Sequence, residues 1–385
     1  MNRGADSIRV IFSCSSVGIT HRGIESFFSE SFANLIPGDG IEGLLLKGGG
    51  DAGENEVVIR CIPKTSRMAS ALAKITGRSS YAVEQWTSFP GIAGRIRKFR
   101  PHVVFTSDAN LVFLLNRFRR QIGVPFKILF SNGGPCHPPF DRFDFVHQVA
   151  PHYLEEAINA GEAPSKHFLV PYGIQMSDMP VVSSVEKNRL RAKLRLPADR
   201  HIILSVGWIS RVHKRMDYLI EEVARLPSPR PFLQLLGAMD DQSQGLVDLA
   251  NKLLGPDNFG VASVPYDEVK HYYRAADLFV LASLKEGFGR VYLESMMHGL
   301  PTIAHRHPVM EYVVGNEGVL SDLSQSGNLA YALAGQLSDL GDSDGSKAMR
   351  RWESVRSRFS WAVLRPQYEQ MFRHVAAGSS TLALS

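Results

Sequence analysis

A chain of 385 residues that is 44% apolar and 21% charged is too long for one ordinary core and too balanced for disorder, so two domains of roughly 150–200 residues are expected. The three cysteines, Cys14, Cys61 and Cys136, are odd in number and scattered, which excludes a disulfide framework or a CxxC metal site and predicts a reducing cytoplasm. The formal net charge is only +5, no stretch reaches the ~18–20 apolar residues of a membrane span, and MNRGADSIRVIFSCSS carries no signal-peptide pattern, so a soluble or peripheral protein is expected.

Short apolar strands alternate with longer helical patterns, beginning with Ile8–Phe12, the helix Ile24–Leu35 and Gly43–Leu46. Further strands are read at Val57–Cys61, 102–107, 127–132 and 168–171, each bounded by Gly, Pro or charge. That alternation implies a parallel sheet covered by helices. The polar stretch GIQMSDMPVVSSVEKNR, 173–189, shows little periodicity and reads as an interdomain linker. Then strands at 201–208, 231–237, 259–264, 277–283 and 301–305 alternate with helices at 216–226, 243–254, 267–276 and 291–299. The expected fold is α/β, with two doubly wound, Rossmann-like domains at 1–175 and 176–359, and ligands at the carboxyl ends of the strands.

One such end reads SLKEGFGRVYLESMMHGLPTIA, 283–304. The strand stops at Ser283, the turn carries Glu286, Gly287 and Gly289, and the helix carries Glu294 near its first turn. Amides at a helix start have no partner within the helix and favour an anion. The turn can therefore hold phosphate. Two carboxylates would repel phosphate, so they must face something neutral, and sugar hydroxyls fit.

The run E-G-F-G-x-x-x-x-E from Glu286 to Glu294, followed by HGLPTIA and EYVVGNEGVL, resembles the donor-binding segment of the retaining GT-B glycosyltransferases of the group-1 or family-4 type. Upstream, SVGWISRVHKRMDYLIEEVARL is similar to that family's second signature, a strand ending at Gly207, a basic loop and Lys214, Arg215, Asp217, Leu219 and Ile220. The resemblance implies that Lys214 binds the pyrophosphate, Glu294 the nucleotide ribose and Glu286 the donor sugar, with the amides of Phe288 and Gly289 on its neighbouring groups. Many members place Arg after the strand's glycine. Here Trp208 stands there, and Arg211 or Arg215, both in the same loop, is expected to substitute. CSSVGITHRGIESFFSESF matches more loosely the first strand, loop and helix start placed under donor and acceptor, through Gly18, Arg22, Gly23 and Glu25. KHFLVPYGI stands where the family often reads V-I-P-N-G-I, with Tyr172 for Asn, and RFSWAVLRPQYEQMFRHV resembles its closing helix, about 360–376, which returns to the first domain. The resemblance implies two domains facing across a cleft.

Other signals are weaker. DSD at 342–344 lies in a turn-like run, HRH at 305–307 has no companion ligand spacing, and KGGG at 47–50 lacks P-loop order and reads as a flexible connection. No metal site is expected. SNGGPCHPPFDRFDFVHQVAPHY, from 131, gathers Ser131, Asn132, His137, His147 and His152, and His137 is the chosen acceptor-side group. Between Arg60 and Lys127 stand thirteen basic residues against two acidic ones, a greater excess than the whole chain's +5. Interleaved with aromatics, this run suits an anionic membrane surface or a lipid-diphosphate-linked acceptor, or is an ordinary basic helix face. No nucleic-acid motif accompanies it.

The function expected is transfer of a sugar from a UDP- or GDP-linked donor to an acceptor hydroxyl with retention, without a metal cofactor. The acceptor would be a glycan or lipid-linked intermediate of polysaccharide or lipopolysaccharide assembly, at the cytoplasmic face of the inner membrane. A sugar-nucleotide epimerase of the same architecture and a non-catalytic sugar-nucleotide-binding protein are the alternatives. A dehydrogenase would want G-x-G-x-x-G after the first strand, which SCSSVGITHRG does not supply.

Overall fold

The computed structural model describes residues 7–20, 22–36, 40–178, 180–342 and 344–378. The chain forms two compact units, one running to Gly173 and resuming at Trp361, the other spanning Ile174–Ser360. In the first, β1 (Ile8–Cys14), β2 (Ile41–Lys47), β3 (Glu56–Val58), β4 (Val103–Thr106), β5 (Lys127–Asn132), β6 (Phe145–Gln148) and β7 (His167–Leu169) form one sheet of order β3-β2-β1-β4-β5-β6-β7. In the second, β8 (Ile202–Val206), β9 (Phe232–Leu236), β10 (Phe259–Ala262), β11 (Leu278–Val280), β12 (Thr302–His305) and β13 (Val319–Ser321) take the order β10-β9-β8-β11-β12-β13. Every pairing is parallel. Strands such as Val103–Thr106 and Ile202–Val206 are apolar nearly throughout because helices cover both faces. In each sheet the order reverses beside its first strand, between β1 and β4 and between β8 and β11. Loops diverge there and leave a crevice.

The core of the first unit is an aromatic stack. Phe27, on the helix Gly23–Leu35, lies 3.8 Å from Tyr172 at 17°, and Phe12, Phe105 and Phe372 meet edge to face around it. Phe372, Trp361 and Tyr368 come from the closing helix Trp361–Ala377, and a Cβ on Gly173 would sit 2.6 Å from the Trp361 ring. Tyr172 is buried in that stack, and a Cβ on Gly133 would strike its hydroxyl.

Three sequence expectations change. The stretch 173–189 is not wholly a linker, because the helix Ser184–Leu194 starts inside it with Ser183 Oγ capping the Glu186 amide; Ser183, taken as a loop former, is the cap residue. The run after Ser131 contains β6, hidden by two polar positions. His147 and Gln148 are fully buried and satisfied: His147 bonds Ser131 Oγ and the Val170 carbonyl, and Gln148 bonds Asn132 and His167. The glycines of KGGG are not a loose connection. The Gly48 and Gly49 amides donate to the Val17 carbonyl, and a Cβ on Gly48 would lie 1.9 Å from the Ser15 carbonyl oxygen, so two loops meet backbone to backbone. Of DSD, Asp342 accepts from the Lys347 and Ala348 amides as a helix cap, while Ser343 lies outside the described residues.

Candidate functional site

The second unit gathers its chemistry at the β8/β11 crevice. From β8 the chain turns through Gly207, at φ +156°, and the Lys214 stem crosses over it, with Cε 3.2 Å from where a Cβ would stand. A side chain at 207 would lift the lysine away. The ammonium reaches Glu286 Oε1, in the turn after β11, at 2.5 Å. Both side chains are mostly enclosed, 21% and 15% exposed. Lys214 and Glu286, read from sequence as binding different parts of one ligand, are thus each other's partners, and the expectation that Glu286 faces only neutral groups is corrected.

Gly287 and Phe288 carry the turn to Gly289, at φ +78°, which precedes the helix Arg290–Met297. That left-handed conformation favours glycine, and a Cβ there would also lie 2.6 Å from the Tyr292 ring. The Phe288 side chain is buried against Phe359. Glu294 lies in the second turn of the helix rather than the first. It is 7% exposed and accepts from Tyr273 Oη at 3.0 Å and Tyr266 Oη at 3.3 Å. Burial, reinforced by the Glu294 charge, drives the Tyr273 hydroxyl far above its ordinary pKa, so it stays a donor. Sequence reasoning missed both tyrosines. Tyr273 sits on the helix Val269–Ala275, and its approach to Glu294 is tertiary.

The two candidate replacement cations diverge. Arg211 donates to the Gly245 carbonyl and pairs with Asp217 at 3.5 Å, half exposed. Arg215 sits at φ +48° with its guanidinium on the Leu323 carbonyl at 2.6 Å and 4.1 Å above the Tyr218 ring. It ties the loop to the following chain. Trp208, 45% exposed, donates to Asp240.

In the first unit the loop after β1 closes on Gly18, at φ +78°, where a Cβ would clash with the Gly49 carbonyl. Arg22 precedes the helix beginning at Gly23 and pairs with the buried Glu25 at 2.7 Å, which Lys64 also reaches at 3.3 Å. These cations hold the Glu25 carboxyl below its ordinary pKa despite burial. Behind them Asp108 and Glu84 are fully buried. Asp108 accepts from the Ser15 amide, Tyr81 and Gln85, and burial pushes it up to about 6; Glu84 accepts from Ser15, Ser16 and the Lys64 amide. Lys64, Glu84 and Asp108 form a network that no sequence motif announced. His137 stands 71% exposed on Glu156 at 2.7 Å.

Among the described residues no group of three or more His, Cys, Asp or Glu side chains is placed to hold a metal ion. His305 Nδ1 accepts from the Leu323 amide and His307 caps the helix Pro308–Val314, so the HRH run is spent on backbone.

Residues 186–348 match the family model described as glycosyl transferases group 1. A D-inositol 3-phosphate glycosyltransferase of Thermobifida fusca is 33% identical over 42% of this chain and 39% of its own length. The lipopolysaccharide core biosynthesis glycosyltransferase LpsE of Rhizobium meliloti is 30% identical over 47% of this chain and 52% of its own. The chain thus spans about half or less of these relatives. Sucrose-phosphate synthase of Thermosynechococcus elongatus superposes with a TM-score of 0.75 at 18% identity, covering 97% of this chain and 100% of that one. Anabaena HepE in complex with UDP and glucose superposes at 0.73 and 15% identity, covering 95% and 99%. Residues 186–348 are thus similar to the group 1 glycosyltransferases, and over both units the chain has the GT-B fold.

Proposed function

We propose that this protein is a retaining, metal-independent glycosyltransferase that moves a sugar from a UDP- or GDP-linked donor to an acceptor hydroxyl of a glycan or lipid-linked intermediate. The observation that carries the reading is the Lys214–Glu286 pair at the β8/β11 switch point, with Glu294 held by two tyrosines on the helix that follows. Lys214 is an enclosed cation whose one carboxylate partner is exchangeable for a diphosphate, and Glu294 is a fixed acceptor for ribose hydroxyls. Gly207 leaves room for the lysine stem to lie across the backbone on its way to Glu286. As the anomeric C–O bond breaks, negative charge grows on the departing diphosphate, and Lys214 with the amides after Gly289 stabilises it there. The acceptor oxygen forms its bond on the face the diphosphate leaves and gives its proton to that phosphate. Glu286, released from Lys214, would then take hydroxyls of the donor sugar.

The UDP in HepE complexes and the name of LpsE favour a nucleotide-sugar donor and envelope polysaccharide assembly. On the acceptor side the candidates are Gly18, Arg22, Gly23 and His137. Six of the thirteen basic residues of the run lie on the helices Ser80–Phe99, Ala109–Arg117 and Arg119–Ile122, where Lys98, Arg117 and Arg120 are exposed beside Phe113 and Phe118. This surface suits peripheral attachment to the anionic inner leaflet from the cytoplasm. No described helix is long and apolar enough to cross a membrane. The test is nucleotide release from a panel of UDP- and GDP-sugars, with and without acceptor lipids. Acceptor-dependent release with an α-linked product from an α-linked donor supports the reading. Interconversion of the donor sugar without release points to an epimerase, and binding without turnover to a non-catalytic protein.

A further inference from the structure

A polar cavity, of 220 Å³, opens within the C-terminal unit, at the amino-terminal ends of β11 and β12, where Asp277 and Pro301 stand just ahead of the strands. Lys214 and Glu286 follow the carboxyl ends of β8 and β11, so this cavity is at the opposite end of the sheet. A water takes up about 30 Å³, so it has room for a phosphate-sized group and several waters. Four cations from three helices line it: Lys187, Arg274, Lys347 and Arg351.

Their commitments differ. Lys187 is paired with Asp277 at 2.5 Å, and Asp277 is further held by Arg191 and the Ile202 amide. Lys347 is paired with Asp339 at 2.6 Å. The third carboxylate, Asp342, is occupied in capping the helix Ser346–Phe359. All three carboxylates of the lining are thus engaged. Arg274 makes no hydrogen bond or ion pair among the described residues. Arg351 donates one Nη1 bond to the Gly299 carbonyl, and its Nε is buried without a partner. Two guanidiniums from different helices therefore meet at one cavity with donors to spare. A planar fork of N–H donors matches the geometry of a phosphate group better than that of any other common anion except a carboxylate.

We propose that this cavity binds a phosphate group, free or carried on a small metabolite, with Arg274 and Arg351 as its ligands. The cavity shares Tyr273 and His298 with the neighbourhood of Glu294: the two rings stack at 5.3 Å, and His298 Nδ1 lies 2.7 Å from the Glu294 carbonyl oxygen. Filling it changes the surroundings of the tyrosine that orients Glu294. The proposal goes beyond the glycosyl-transfer reading and does not depend on it.

The test is calorimetric titration of the full chain with inorganic phosphate and, separately, glucose 1-phosphate, at constant ionic strength, with and without saturating UDP. Saturable binding of either probe that persists under UDP and weakens about tenfold or more in Arg274→Gln supports the site, and the tighter probe identifies the source of the phosphate. No saturable binding of either probe, loss of binding under UDP, or equal binding by Arg274→Gln overturns it. Arg351→Gln is the companion variant. Should it fail to fold, Arg274→Gln still decides, because that guanidinium makes no hydrogen bond or ion pair among the described residues. A chain that binds neither UDP nor GDP removes the donor reading and leaves the phosphate titration standing.

Discussion

Replacing Lys214 by alanine should lower the chemical step by about 10²–10³, the usual consequence of deleting one transition-state stabiliser. The same change leaves Glu286 enclosed without its cation, a second effect that has to be separated from the first. Breaking a fully buried pair costs about 3–5 kcal/mol. Here the side chains keep 21% and 15% of their exposure, water can reach the carboxylate, and a loss of about 1–3 kcal/mol of stability is expected. The double variant Lys214→Ala, Glu286→Gln removes that negative charge as well, so thermal unfolding should recover toward the parent while turnover stays low. The assay is nucleotide release under single-turnover conditions, run beside melting curves for the four members of the cycle. Wild-type turnover in Lys214→Ala would refute the assignment. Recovery of both stability and rate in the double variant would refute it as well, by showing that the lysine serves only to neutralise Glu286.

Glu294→Gln should weaken bare UDP or GDP by about tenfold in calorimetry, through lost ribose hydrogen bonds, whereas Glu286→Gln should bind the diphosphate at least as tightly as the parent, because it frees Lys214, while slowing transfer; equal losses would contradict that division. In the first unit, burial depresses His147 to about 4 and raises Asp108 to about 6. As pH falls from 6 to 4.5, the unfolded state takes up a proton at His147 that the folded state refuses, and the folded state takes one at Asp108 that the unfolded state still lacks. The two slopes have opposite sign, so the parent's stability should be nearly flat from this pair. Asp108→Asn should instead lose about 1.4 kcal/mol per pH unit, and a denaturation series that shows no steeper slope in the variant would sink the argument. Lys98→Gln, Arg117→Gln and Arg120→Gln combined should reduce co-sedimentation with anionic vesicles, in a manner that fades with salt, and leave donor hydrolysis unchanged; vesicle binding equal to the parent's would make this an ordinary solvated face. Arg97 and Arg119 are unsuitable for that test, since Arg97 donates to the Gln121 and Ile122 carbonyls and Arg119 pairs with Asp144.

What sequence made legible were the features that local spacing controls. The alternation of apolar strands with helical patterns located most strands of both sheets, and Glu286, Gly289 and Glu294 stand out around the turn that follows a strand end, whereas Gly207 and Lys214 stand out only through the resemblance to a family signature. Features set by contact across the fold were not legible. The strand Phe145–Gln148 ends in His147 and Gln148, polar residues whose hydrogen bonds come from neighbouring strands and from Val170, so no period-2 pattern marks it. Tyr273 lies 21 residues from Glu294 and meets it only through the tertiary fold, which brings its hydroxyl within 3.0 Å of the carboxylate.

The choice between Arg211 and Arg215 shows the same boundary more sharply. Both stand in one loop, Arg211 three residues before Lys214 and Arg215 next to it, and sequence order does not say which side chain faces the site. In the fold Arg215 occupies a left-handed backbone position, with its guanidinium on the Leu323 carbonyl and over Tyr218. Withdrawing it would strip a buried carbonyl of its donor and a ring of its cation. Among the described residues Arg211 is bound by a half-exposed ion pair at 3.5 Å and one carbonyl, and exposed pairs of that kind are worth about 0–1 kcal/mol. A diphosphate arriving beside Lys214 can therefore recruit Arg211 at small cost and Arg215 only by dismantling the loop. Arg211→Gln should accordingly weaken diphosphate binding with the melting temperature unchanged, whereas Arg215→Gln should lower the melting temperature first. A variant pair in which Arg211→Gln binds the diphosphate like the parent would return the second cation to Arg215 or leave Lys214 as the single cation of the site.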